Sequence, residues 1–155
     1  MTVLECVRSF IKAVNAADVT AVCDLMPKGH LFIDSDGGEV CGREAMRRGW
    51  IGYFSMMPDY KIQVQGIYSR GTVVVMIGAA TGTYSPDGKL RPENRWRVPA
   101  AWRAVVRGGR VAVFQVFGEV AGQVVAVMMA GYEVVAGSTT WLSIRGCRGR
   151  GSVAR

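Results

Sequence analysis

The sequence is poor in the residues that metal and redox chemistry require. Its 155 residues include one histidine, His30, and four widely spaced cysteines, Cys6, Cys23, Cys41 and Cys147, with no CxxC pair among them. A zinc site of the usual type needs four clustered ligands, so no metal is expected. The cysteines read as small buried hydrophobes or free thiols of a reducing cytoplasm. No glycine-rich phosphate loop and no dinucleotide fingerprint occurs, so no cofactor is expected either. Any imidazole-based proton transfer must use His30, and no Ser/His/Asp or Cys/His nucleophile motif accompanies it. Long apolar runs are also missing. The segment around Val124 to Met129 is bounded by Gln123 and Glu133, too short to span a bilayer. Glu5, Arg8 and Lys12 interrupt the start of the chain, where a secretory leader needs an apolar stretch. A membrane partner is therefore not expected, and the expected location is cytoplasmic.

Acidic residues are outnumbered, 12 against 19 Lys and Arg, for a formal charge of +7. Four of those positive charges, Arg145, Arg148, Arg150 and Arg155, lie in a tail without acids. Such a tail favours anionic partners at long range, but it lacks the aromatic platforms on which bases stack. It reads as a solvated, flexible end, and nucleic acid is not an expected partner.

What is present is an ordinary globular composition, half hydrophobic and a fifth charged, long enough to bury the core of one domain. Val3/Leu4, Val7, Phe10/Ile11 and Val14 recur at helical spacing, with Thr2 and Glu5 placed for a capping box. After Asn15-Ala16-Ala17, Asp18 can cap a second helix whose inner face is Val19, Val22, Cys23 and Met26, ended by Pro27 and Gly29. Residues 30 to 34 read as a short strand running into the turn Ser35-Asp36-Gly37-Gly38. A third helix is expected from about Arg43 to Ser55, with Met46, Trp50, Tyr53 and Met57 on one side and Pro58 closing it.

The period then changes from helical to alternating. Tyr60, Ile62, Val64 and Gly66 form one face of a strand, and Thr72 to Tyr84 forms a longer, nearly apolar one. In Arg95 to Val106, Trp96, Val98, Ala100, Trp102 and Ala104 face one way, while Arg95, Arg97 and Arg103 face outward. Gly108-Gly109 turns the chain into a last strand, Arg110 to Val120. Three N-terminal helices covering a curved antiparallel sheet make an α+β domain, with a concavity between the layers where a ligand would sit.

Several stretches carry a family resemblance: FIKAVNAADVTAVCDLM, FIDSDGGEVCGREAMRRGW, PDYKIQV, GTY and RWRVPAAWRAVVRGGRVAVFQVF. Over residues 3 to 117 the chain resembles SnoaL-like members of the nuclear-transport-factor-2-like (NTF2-like) superfamily, with Trp96 to Trp102 the most specific segment. The resemblance implies a cone-shaped fold and a homodimer formed through the outer face of the sheet. Relatives include polyketide cyclases, ketosteroid isomerases, epoxide hydrolases, dehydratases and binding domains without catalysis, so fold alone does not choose an activity. Relatives often end the last strand with an aromatic, one residue, then an aspartate; here the stretch is Phe117-Gly118-Glu119. Residues 1–120 are read as the domain and 121–155 as an atypical Arg/Gly-rich extension outside the resemblance.

The candidate site follows from these two readings together. In isomerase and cyclase relatives a carboxylate near the Asp34 region shuttles a proton, and apolar walls raise the pKa of such a group into a useful range. Asp34 and Asp36 are equally suited to an ordinary Asp-x-Asp-Gly turn. The expected catalytic residues are Asp34 as base, with His30 or the pocket tyrosine Tyr53 stabilising negative charge. Trp50, Tyr60, Tyr84, Trp96, Trp102 and Phe114 are the expected substrate-binding wall for a small hydrophobic or aromatic molecule, with Met46, Met56, Met57 and Met76 as adaptable filling. Core packing explains the same rings. Two functions stay open: a cofactor-free acid/base enzyme on a cyclic or carbonyl compound, or a ligand-binding or dimerisation module without chemistry.

Overall fold

A computed structural model describes residues 1–118. Helix α1 (Val3–Asn15) begins on the capping box that Thr2 and Glu5 form: the Thr2 N–H donates to Glu5 Oε2 at 2.6 Å and the Glu5 N–H donates to Thr2 Oγ1 at 3.2 Å. Cys6, Val7, Phe10, Ile11 and Val14 are buried along one side. The short helix α2 (Val19–Asp24) starts where the Asp18 carboxylate accepts the Ala21 N–H at 2.9 Å. Strands β1 (Leu31–Ile33) and β2 (Glu39–Cys41) form a small hairpin, and α3 (Arg43–Met56) follows from Gly42. Gly42 has φ 93°, a value that favours glycine.

Four long strands complete the domain: β3 (Lys61–Arg70), β4 (Val73–Thr83), β5 (Arg95–Arg107) and β6 (Arg110–Gly118). The sheet order is β2-β1-β6-β5-β4-β3, one curved, open sheet carrying the helices on its inner side. The fold class expected from the sequence is the one observed, with two corrections. Glu39–Cys41, to which the sequence assigned no element, is a strand. The sheet is mixed rather than antiparallel, because β1 lies parallel to β6, Phe32 beside Phe114. Tight hairpins force consecutive strands antiparallel, whereas β1 meets β6 only across the intervening elements and is free to run either way.

The register maps the helix-facing side of the sheet in rows. Phe32, Phe114, Ala104 and Val74 form one row. Val116, Trp102, Met76 and Ile67 form the next, and Gly118, Ala100, Gly78 and Val64 the one after. Val98 with Ala80 and Ile62, then Trp96 with Gly82, continue toward the start of β5. These residues pack under Cys6, Val7, Phe10, Ile11 and the aromatic side of α3 in one core.

A bulge breaks the alternation of β3. Val64 pairs with Gly78 and Gly66 with Ile77, leaving Gln65 as an extra residue and bending the edge strand. Gly78 is required there, because a Cβ would lie 1.8 Å from the Gln63 carbonyl oxygen. Asn15 ties the end of α1 to the same strand: its side chain donates to the Ile62 carbonyl at 2.9 Å and accepts the Ile62 N–H at 2.7 Å.

Candidate functional site

His30, the one imidazole the sequence offers for proton transfer, is wholly inaccessible to solvent. Its ring packs beside Phe10, with centroids 6.4 Å apart. Nδ1 lies 2.7 Å from the Val111 carbonyl oxygen. A carbonyl only accepts, so Nδ1 carries the proton and Nε2 keeps a lone pair. Burial lowers the pKa to about 4, the carbonyl contact opposing it weakly. Among the described residues Nε2 has no hydrogen-bond partner. Near neutrality His30 is therefore an uncharged group without a donor to spare, which removes the charge-stabilising role expected from the sequence. The sequence signal for this was local: Lys28 and Gly29 suggested a surface, while the contact that buries the ring comes from β6.

Asp34 closes β1. Its Oδ1 accepts the N–H groups of Gly38 at 2.8 Å and Asp36 at 3.2 Å, and its own N–H donates to the Gly38 carbonyl at 2.9 Å. The turn reading and the chemical reading are compatible here. Loss of hydration, then the neighbouring Asp36 carboxyl, raises the Asp34 pKa to about 6, against the Gly38 and Asp36 amides that pull it down. By alternation Asp34 shares the side of Phe32, the helix-facing side. Extending the β1–β6 register by one residue places it beside Val116, in the row of Trp102. His30 and Asp34 are separated by four nearly extended residues, roughly 13 Å, so they do not form a dyad.

The expected aromatic wall divides into groups. Trp50 of α3 stacks on Phe54 at 5.2 Å and meets Tyr53 edge-on at 6.1 Å; Tyr53 meets Tyr60 at 4.9 Å, and Tyr60 meets Trp96 at 6.2 Å. Phe54 belongs to this run although the sequence reading did not name it; it follows Tyr53 on the buried side of α3. Burial pushes the Tyr53 and Tyr60 hydroxyls up from their usual pKa, so both stay protonated. Trp96 lies over Gly82, where a Cβ would come within 2.9 Å of its ring. Phe114 packs instead on Phe10 at 5.0 Å, in the His30 cluster. Tyr84 is buried beyond the end of β4, its backbone bonded to Asn94. Trp102 is fully buried in the middle of β5.

These rings leave polar atoms over. The indole nitrogens of Trp50, Trp96 and Trp102 are buried and have no hydrogen-bond partner among the described residues. A separate cleft of about 410 Å³ opens between α1 and the bulged strand, with Arg8, Ile11, Asn15, Ile62, Val64 and Ile67 on its walls. Met76, named from the sequence as pocket filling, lines it, but none of the expected catalytic residues or aromatic wall residues does. No cluster of three potential metal ligands occurs among the described residues, and no helix there is long and apolar enough to cross a membrane. Cys6 and Cys23 are buried free thiols. Cys41 is disulfide-bonded, a correction to its reading as a free thiol: the absence of CxxC excludes local pairing only. Glu119, the 121–155 extension and its arginines lie outside the described residues.

Comparison with known proteins agrees with this architecture. Among solved structures, a protein assigned as a SnoaL-like polyketide cyclase from Shewanella denitrificans aligns with a TM-score of 0.71 at 12% identity, covering 82% of this chain and 97% of that one. An NTF2-like protein from Cytophaga hutchinsonii aligns at 0.63 and 16% identity, covering 80% and 96%. A protein of ketosteroid isomerase-like fold from Catenulispora acidiphila, solved with trimethylamine, aligns at 0.63 and 19% identity, covering 75% and 86%. No curated protein sequence matches the chain. The model of the SnoaL-like domain matches residues 7–114, and the chain belongs to that family.

Proposed function

We propose that the protein binds a small hydrophobic carbonyl or cyclic compound against the concave face of its sheet and carries out cofactor-free acid/base chemistry on it, with Asp34 as the base. The observation that carries this reading is the carboxyl of Asp34, held by two backbone amides at the end of β1 with its pKa raised to about 6. Such a group is ionised at neutral pH, yet basic enough to accept a proton from carbon beside a carbonyl. The electron pair then moves to the carbonyl oxygen, which needs a hydrogen-bond donor nearby. Tyr53 and Tyr60, kept protonated by burial, are donors on the aromatic wall. His30 is assigned to positioning β6 instead, through Val111.

The test is turnover of a panel of aromatic ketones and steroids by the wild type and Asp34→Asn. The expected result is a rate that rises with pH about a midpoint near 6 and is lost in the variant, a loss of roughly a hundredfold or more. Equal turnover by Asp34→Asn removes Asp34 as base. The second reading, a binding module without chemistry, is favoured by the loss of His30 as a partner and predicts binding without turnover.

We further propose a homodimer through the outer face of the sheet. Tyr68, Val75, Ile77 and Phe117 share that face by register and are exposed by 63%, 37%, 50% and 48%. A contiguous apolar patch on one side of a sheet suits a two-fold, self-complementary contact. For location, the cytoplasm, with which the free thiols Cys6 and Cys23 agree, is proposed over an oxidising compartment. Counting thiols in protein purified without reductant separates the two.

A further inference from the structure

The unpartnered indole of Trp102 is unused in the chemistry above. An indole nitrogen can only donate, and Trp102 is 0% exposed with Nε1 lacking an acceptor among the described residues. Buried donors without partners are costly and few in native proteins. The surroundings of this one suit an outside acceptor. Along β5 its same-face neighbours are Ala104 and Ala100, across the strands lie Val116 and Met76, and Ala100 and Val116 are only half-buried. Small residues therefore border the ring on the side where Gly118 and Ala100 continue the face. Asp34 falls in the same row, two strands away, about 10 Å between backbones. That span matches the length of a ligand of one or two rings, with one end toward the carboxylate and the other toward the indole.

The alternatives in this part of the sheet are weaker. His30 Nε2 bears a lone pair and cannot donate while Nδ1 is bonded to Val111. Trp96 also has a free N–H, but it sits six residues along β5, roughly 20 Å from Trp102.

We propose that the Trp102 N–H receives an acceptor oxygen of the ligand, one distinct from the carbonyl beside which Asp34 would act, so that the pocket selects hydrophobic compounds carrying such an oxygen over hydrocarbons of the same shape. The proposal rests on the pocket reading above, but not on catalysis. The probes are 2-acetylnaphthalene and 2-ethylnaphthalene, nearly isosteric and differing in the acceptor, with affinities measured by titration calorimetry on the full chain. The wild type is expected to bind the ketone about tenfold more tightly, the ordinary effect of satisfying a buried donor. Trp102→Phe is expected to bind both equally, while Trp96→Phe keeps the preference. As a readout that needs no variant, one of the four indole N–H proton resonances should shift with the ketone and not with the hydrocarbon.

Equal binding of the two probes by the wild type, or an intact preference in Trp102→Phe, overturns the donor assignment and leaves the pocket standing. Failure of both probes to bind the wild type overturns the pocket reading, and the donor assignment with it.

Discussion

His30 offers a clean test of the packing, because the chain has no other histidine. In the folded protein its pKa is lowered to about 4 from an ordinary 6.5. The unfolded chain therefore binds the proton more readily, and falling pH favours unfolding. The contribution is fully present above pH 6.5, declines between 6.5 and 4, and is flat below 4. Its size is the difference of the two pKa values at 1.36 kcal/mol per unit, about 3 kcal/mol. Asp34 acts in the opposite direction. Its folded pKa of about 6 exceeds the ordinary 3.8, so its share of stability falls as pH rises between those values. Asp87, held down to about 2 by Arg91, acts below this window. Working in an Asp34→Asn background removes the opposing trend. The informative second change is His30→Asn, whose amide retains a donor for the Val111 carbonyl but does not titrate. Urea unfolding at pH values from 4 to 8 should show stability dropping by about 3 kcal/mol in Asp34→Asn, against a flat profile in the double variant over the same range. Parallel profiles would mean that the ring titrates in the folded protein as it does in the unfolded chain, and the argument for its neutral, locked state would be wrong.

Two further perturbations probe the sheet. Gly78→Ala should destabilise by about 1–3 kcal/mol, the usual cost of overpacking, because the new Cβ meets main-chain atoms of Gln63 and Gln65 rather than a movable side chain; an unchanged urea midpoint would contradict the bulge. Ile77→Asp places a charge at the centre of the exposed outer-face patch beside Ala101 and Phe117. Sedimentation should then report a monomer where the wild type is a dimer, with the helix content unchanged; a wild-type monomer would remove the outer face as an interface.

Much of this fold was legible locally. Thr2 and Glu5 announced α1, Asp18 announced α2, and the alternation from Arg95 to Ala104 gave the correct inner face of β5 because each of those signals acts within a few residues. The parts that were missed depend on partners distant in sequence. Glu39-Val40-Cys41 has no pattern long enough to mark a strand and becomes one only by pairing with Leu31–Ile33. Gly66 was assigned inward by strict alternation from Tyr60, but the bulge at Gln65 shifts the phase, so that Gly66 pairs with the outward Ile77 and Ile67 takes the inward place beside Met76. His30 looked exposed from its neighbours Lys28 and Gly29 and is buried by Phe10 and Val111.

The candidate site was harder to read for a different reason. Pocket-lining and core-filling aromatics both face inward, so periodicity cannot tell them apart. What separates them is the fate of their polar atoms. Many polar groups that serve structure find a partner within the chain, as Asn15 does twice on Ile62 and the Thr83 hydroxyl does on Asp59 at 2.6 Å, although His30 Nε2 and Arg43 Nε do not among the described residues. Trp50, Trp96 and Trp102 bury indole donors that find none among the described residues. A hydrophobe of equal size would fill the same space without that cost, so a buried indole donor on an apolar face argues for an acceptor that arrives from outside. By the same reasoning Phe114, which has no polar atom and packs on Phe10, belongs to the core.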